Sequence, residues 1–283
     1  MKANKRFQNQ SPEFWANVRA ISESVGYTRR NAEDVCVPSV DEMKKAMADR
    51  GLVFSHIVSK TGKVTALGKL LNEYFEYRAI VLNEFVEPRL MDGERAEKEF
   101  EILRKRLKPT RSFTMNKQKG EKKRIAFLTG IVEMIVEAYS QKIGCELSPK
   151  RLTTITQNGK PLRTFSRWLD GAFPSAVNPV AVWEIKEYYH STSFGSRVAD
   201  GVYETLLDGM ELMELRKSEA IHVLHYFIID SHKTWWKGGR SYLCRIIDAL
   251  NMGYIDEVLF GYEVVEQLPA IVQKWVELFK SQS

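Results

Sequence analysis

The sequence predicts an α/β (α+β) protein, with a mixed central sheet flanked by helices behind a mostly helical N-terminal domain. Two observations carry this. Upstream of a basic block, apolar residues recur at three- and four-residue intervals, the period of helices. Downstream, strand-like runs and helical patterns follow one another, which calls for a layered fold with helices packed on a sheet. With 283 residues, 44% of them hydrophobic and 11% aromatic, the chain can bury a core of one large or two small domains.

In order, Ser11 to Arg29 and Ser39 to Arg50 read as helices, the second opened by Ser39-x-x-Glu42, a capping-box pattern. Leu52 to Val58 reads as a strand closed by the turn Lys60-Thr61-Gly62-Lys63, and Ala66 through Leu90 as a longer helix. Helix, ribbon, helix is the outline of a winged-helix-like DNA reader and equally of any small helical domain. Downstream, a helix is expected over Lys122 to Lys142, strands over Leu162 to Leu169 and Val180 to Lys186, and a helix from about Arg197 to Leu215. A strand over Ile221 to Ile229, a helix over Ser241 to Leu250, a short strand over Glu257 to Tyr262 and a closing helix through Trp275 complete the series. The expected division is 1–110 (mostly helical N-terminal domain), 111–121 (basic connection) and 122–283 (C-terminal α/β domain).

Net charge is +6, but ten basic residues lie between Arg104 and Arg124 against the single acid Glu121. A block carrying +9 reads as a mobile connection that meets a polyanion, or as a solvated linker. Arg111, Lys117, Lys119, Lys122 and Lys123 are its candidate phosphate contacts. No membrane span is expected, because the most apolar run, Ile125 to Tyr139, is broken by Thr129, Gly130, Glu133 and Glu137. The start lacks an apolar secretory core, and three widely spaced cysteines (Cys36, Cys145, Cys244) offer no disulfide framework. Both point to the cytoplasm.

The chemistry concentrates in Val180-Ala181-Val182-Trp183-Glu184-Ile185-Lys186. A strand's period of two puts Val180, Val182, Glu184 and Lys186 on one face and Ala181, Trp183 and Ile185 on the other. Two charges thus end a run that is apolar on both faces, a cost expected mainly at functional sites. Asp170, followed by Gly171, ends the preceding strand-like segment. The thirteen residues between Asp170 and Glu184 contain Pro174, Asn178 and Pro179, enough to turn the chain and bring both carboxylates to one end of the sheet. Such a pair suits magnesium, which takes a few carboxylates plus water and phosphate oxygens. Lys186 would then orient or help deprotonate an attacking water and offset charge on the transition state.

Asp170, a spacer and Glu184-Ile185-Lys186 resemble the metal-site signature of the PD-(D/E)xK nuclease superfamily, which includes many type II restriction endonucleases. The resemblance covers roughly Lys122 to Tyr262 in element order: helix, strand, strand with the Glu-x-Lys, helix, strand, helix. It implies a restriction-endonuclease-like core, with Asp170 and Glu184 as metal ligands, Lys186 as a catalytic group, and Glu133 in the place of the glutamate the family commonly carries on its first core helix. Leu169 stands where the family's proline would precede the aspartate. The implied activity is magnesium-dependent hydrolysis of double-stranded DNA, of restriction type. Cutting both strands implies a homodimer, since two strands need two sites. A non-catalytic DNA-binding protein that keeps the fold, and a repair, junction-resolving or phage-defence nuclease, are the alternative expectations.

Trp235-Trp236-Lys237-Gly238-Gly239-Arg240-Ser241 leads into a helix with Ser241 as expected N-cap, so Lys237, Arg240 and nearby backbone donors are further candidates for phosphate contact. Val198, Val202, Leu206, Met210 and Met213 form an apolar stripe read as core packing. His222 and His225 differ by an odd number on a strand and face opposite sides, which argues against a zinc site with His232. Glu187 likewise faces away from Glu184. The segment Gly62 to Leu70 lacks the spacing and the Ser or Thr of a phosphate-binding P-loop.

Overall fold

A computed structural model describes residues 1–29, 32–118, 121–190 and 195–282. The N-terminal part holds α1 (Pro12–Val25), α2 (Val40–Asp49) and α3 (Ala66–Ile80), the last prolonged by wider helical turns through Val86. Ser39 and Glu42 make both halves of the expected capping box. Around Tyr74 these helices bury Phe7, Phe14, Trp15, Ile21, Met43, Leu71 and Phe75. Leu52 to Val58 is not a strand. Leu52 and Val53 are exposed, Ile57 and Val58 donate to Phe54 in tight turns, and the only pairing there is one bridge, Val58 to Val64. An isolated short ribbon lacks the partner that would make a ladder stable.

α4 (Gly93–Leu107) follows, and then β1 (Met115–Gln118) and β2 (Glu121–Ile125) pair antiparallel. The basic connection is therefore largely a β-hairpin, and the helix expected from Lys122 begins only at α5 (Phe127–Tyr139). α4, placed with the N-terminal part by an expected boundary at 110, sends Ala96, Phe100 and Leu103 into the C-terminal core beside α5.

Next come β3 (Glu146–Leu147), β4 (Thr154–Gln157), β5 (Lys160–Thr164), β6 (Gly171–Phe173) and β7 (Ala181–Glu187). The expected strand from Leu162 to Leu169 stops at Thr164. β5 turns back on β4 through Asn158 and Gly159, both at positive φ, a combination suited to a tight hairpin. α6 (Ser196–Glu219), β8 (Leu224–Asp230), α7 (Arg240–Asn251), β9 (Glu257–Phe260) and α8 (Glu263–Gln282) complete the chain.

The main sheet is mixed, in the order β3-β6-β7-β8-β9, antiparallel through β7 and parallel from β7 to β9. One face buries Trp183, Ile185, Tyr226 and Ile228 against α5 and α8, with the rings of Trp183 and Trp275 stacked at 5.3 Å. The other buries Phe227, Ile229, Val258 and Phe260 against α7, and Val182 against Leu212 and Leu215 of α6. Each such side chain contributes about 1.5–3 kcal/mol by leaving water. Of the expected α6 stripe, Val198 and Val202 are buried but Met210 is 49% exposed. Each four-residue step overshoots a full turn by about 40°, and by Met210 the inward face has passed to Leu212 and Leu215. Among the described residues no helix is long and apolar enough to cross a membrane.

Candidate active site

Asp170 ends the chain's approach to β6, and the register fixes what stands opposite. Gly171 pairs with Trp183 and Ala172 with Val182, so Asp170 comes level with Glu184 across the two strands. Gly171 makes this possible, since a Cβ there would lie 1.9 Å from the Trp183 ring. The Asp170 carboxylate accepts the Ile185 backbone N–H at 2.7 Å, and its own carbonyl takes the Ser148 N–H at 2.8 Å. Asp170 is thereby tied to both neighbouring strands.

Glu184 is 1% exposed, and its oxygens are fully engaged by cations. Arg167 donates Nη2 to Oε1 at 2.8 Å and Nη1 to Oε2 at 3.3 Å, a forked geometry, while Lys186 Nζ stands 2.6 Å from Oε1. Sequence reasoning missed what faces them from α6. Glu204 receives Lys186 Nζ at 2.7 Å, and Asp208 receives Arg167 Nη1 at 2.6 Å. The Asp208 Oδ1 is buried without a partner among the described residues. Gly201 lets the Lys186 stem lie against the helix, since a Cβ there would approach Lys186 Cε to 3.0 Å. Positions 201, 204 and 208, spaced three and four apart on one helix face, were the visible signal for this acidic lining. Arg167 is held between Phe165 and Leu169, both buried with Leu212 and Leu215.

The electrostatics follow from burial. Asp170 is pushed up to about 7, first by burial and then by the Glu184 charge, which together outweigh the Ile185 hydrogen bond. Asp208 is likewise pushed up to about 7 by burial, with Arg167 opposing. Burial alone would raise Glu204, but its hydrogen bond and charge contact with Lys186 hold it below its ordinary value. Burial alone would lower Lys186, yet Glu184 and Glu204 raise it above its ordinary value. Lys186 therefore stays an ammonium near neutral pH. It can donate to and neutralise a phosphate oxygen, whereas the expected role of helping deprotonate water does not fit its charge state.

Two cations face four carboxylates, so the cluster carries two uncompensated negative charges when all are ionised. That excess matches one divalent ion. Among the described residues no three His, Cys, Asp or Glu converge as a ready metal cage. Magnesium does not require one, since one or two carboxylates with waters and substrate phosphates suffice. Asp170 and Glu184 supply such a pair, and the unpartnered Asp208 oxygen lies on the helix beside them. The donor set fits magnesium, provided that the Arg167 fork releases Glu184.

The other candidates are dispersed. Glu133 lies on α5, which covers the opposite face of the sheet, and accepts Thr114 Oγ1 at 2.8 Å. Glu187 also points that way and accepts the Phe127 and Thr129 N–H groups at 3.0 and 3.1 Å, capping α5 where Ala126 offers no side chain. Lys117, Lys122 and Lys123 lie on the hairpin strands, with Lys117 paired to Lys122, and Lys119 lies outside the described residues. The hairpin's root reaches the end of β7, where Asn116 Nδ2 is 3.5 Å from Glu187. Arg111 is exposed before it.

Lys237 ends a wide helical turn, His232–Gly238, and Arg240 begins α7 with its guanidinium 5.7 Å from the Trp236 ring. Gly239, not Ser241, stands at the N-cap, so the glycines join two helical segments and form no open phosphate loop. His222 bonds Asp256, His225 is buried and His232 approaches Glu87, so the three histidines do not meet.

Residues 91–275 match the family described as Domain of unknown function (DUF7687), and residues 1–85 match Domain of unknown function (DUF7690). No curated protein and no solved structure matches the chain.

Proposed function

The chain belongs to the DUF7687 family, and for this member we propose magnesium-dependent hydrolysis of DNA phosphodiester bonds, as an endodeoxyribonuclease of restriction type acting on double strands. The observation that carries the reading is the pairing of Asp170 with Glu184 across β6 and β7, with Lys186 next on the Glu184 face. The elements α5, β6, β7, α6, β8 and α7 also follow one another in the order that the resemblance to PD-(D/E)xK nucleases implies, with β3, β4 and β5 inserted between α5 and β6.

Asp170 and Glu184 would hold the ion, which when bound polarises a phosphoryl oxygen and acidifies a water. Lys186, kept protonated by Glu184 and Glu204, donates to a non-bridging oxygen where negative charge grows. Arg167 has to leave Glu184 for the ion to enter, and its fork then suits a DNA phosphate. Glu204 and Asp208 hold the two cations in place between turnovers. The basic hairpin supplies sequence-independent affinity by displacing counterions, and a homodimer would present one site to each strand.

The test is nicking and linearisation of supercoiled plasmid by purified protein with and without magnesium. Cleavage should need the metal and vanish in Asp170→Ala and Glu184→Ala, while metal-free DNA binding survives. Cutting by either variant at the wild-type rate removes that residue from the proposal. A second reading, a DNA-binding protein without catalysis, is favoured by one observation, the Arg167 fork already filling the Glu184 oxygens. No cleavage by wild type or by Arg167→Ala, with DNA binding retained in both, would select it.

A further inference from the structure

A separate cavity of about 670 Å³ lies where the N-terminal segment and α1 meet the C-terminal end of α6, the start of β8 and the turn after α7. None of the six charged residues of the candidate active site lines it. Its volume is that of a small-molecule site, far larger than a simple anion requires.

The wall chemistry narrows the occupant. Arg216 and Lys217, exposed in the last turns of α6, both line the cavity and make no ion pair among the described residues. The wall's one acid does not neutralise them. Asp256 is already engaged by His222 Nε2 at 3.1 Å and by the His225 backbone N–H at 2.8 Å. Two free cations beside a cavity attract a phosphate or comparable anion.

Other lining residues are neutral and hydrogen-bonding. The side chains of Gln8 and Asn9 make no hydrogen bond among the described residues. His225 is 1% exposed, and its Nδ1 stands 2.9 Å from the Tyr254 carbonyl. A carbonyl only accepts, so Nδ1 carries the proton, and Nε2 is an acceptor sealed beneath the lining without a partner among the described residues. Trp15 and Tyr254 add aromatic surface to the same lining. Cations for a phosphate, amides for ring edges, and flat apolar surface for a ring face together describe the parts of a nucleotide.

We propose that this cavity binds a mononucleotide, with its phosphate at Arg216 and Lys217 and its base between the Gln8–Asn9 segment and the Tyr254 side of the wall. Such a ligand touches both matched regions of the chain, 1–85 and 91–275, and so ties the N-terminal helices to the catalytic layer.

The test is calorimetric titration of the full chain, without metal or DNA, with 5′-AMP, 5′-GMP, 5′-CMP and 5′-UMP, and with inorganic phosphate and adenosine as controls. At least one nucleotide should bind with a Kd below about 1 mM. Phosphate alone, and for 5′-AMP its nucleoside, should bind at least about tenfold more weakly, a difference of about 1.4 kcal/mol. The double variant Arg216→Ala, Lys217→Ala should lose at least about tenfold in nucleotide affinity with an unchanged melting temperature, since both side chains are exposed. Absence of nucleotide binding, equal binding of phosphate, or wild-type affinity in the folded double variant would each overturn the proposal. Because no cleavage is measured, the result is independent of whether the chain cuts DNA.

Discussion

Glu184 and Glu187 are three residues apart on the same strand, both carboxylates, and they face opposite sides of the sheet. Glu187 is met chiefly by fixed backbone dipoles, the first N–H groups of α5, with the Thr129 hydroxyl also donating, and among the described residues no charged side chain bonds it. Asp230, at the end of the neighbouring β8, is treated alike. It accepts the Met91 and Ser231 N–H groups at 2.7 and 2.8 Å and the Tyr189 hydroxyl. Glu184 is instead surrounded by long side chains, Arg167 and Lys186, themselves shared with Glu204 and Asp208. Backbone donors cannot leave without unfolding the helix or loop they belong to. Side-chain cations can swing away and let an ion or a phosphate in. Burial is therefore common to both faces, and the kind of partner, backbone donor or side-chain cation, separates them.

The largest effect that tests this contrast is on cleavage. Glu184→Gln should lower the plasmid cleavage rate by at least about a thousandfold, about 4 kcal/mol in barrier, with the fold retained. Glu187→Ala should leave cleavage within about tenfold but cost about 1–3 kcal/mol of stability, because the buried N–H groups of α5 lose their acceptor. Rate assays and urea unfolding of the two variants give the comparison. If Glu187→Ala abolishes cutting at full stability, the division between structural and reactive faces is wrong.

Next in size is the contribution of the hairpin, whose root lies at the same end of β7. Neutralising Lys117, Lys119, Lys122 and Lys123 together should lower the slope of log affinity against log salt by roughly three to four, since each phosphate contact contributes about 0.9. Cleavage at saturating enzyme should persist, because the proposed reaction is confined to the Glu184 face. A wild-type slope would reduce the basic block to a solubilising element.

Several of these features were legible before folding. Glu184 and Lys186 share a face because a strand's period is two, and the Ser39 cap follows from local hydrogen bonding alone. The mixed sheet and its flanking helices follow from the same periodicities. What was not legible depends on partners distant in sequence. Glu204 and Asp208 acquire meaning only when α6 docks on the sheet, and Arg167 only when Phe165 and Leu169 anchor its segment in the α6 core. The basic hairpin was hidden because alternation among lysines carries no hydrophobic pattern to reveal a strand. Leu52 to Val58 had strand composition and, among the described residues, only the single Val58–Val64 bridge to pair it.

The smallest effect, and the one that sharpens the comparison most, is the response to pH. Asp170 and Glu187 are both pushed up to about 7, chiefly by burial. An acid whose folded pKa exceeds its unfolded value of about 4 binds more protons when folded, so its contribution to stability falls as pH rises through that interval. The protein should accordingly unfold at lower urea at pH 8 than at pH 6, and Asp170→Asn and Glu187→Gln should each flatten that difference by about 1 kcal/mol. Magnesium distinguishes them. An ion held by Asp170 favours its charged form, so saturating magnesium should remove the Asp170 share of the pH dependence. The Glu187 share should remain, since its partners are neutral N–H and O–H donors on the far face. Urea midpoints at pH 6, 7 and 8, with and without magnesium, for the wild type and the two variants measure both shares. Equal action of magnesium on the two, or on neither, would show that the faces of β7 do not differ as their partners imply.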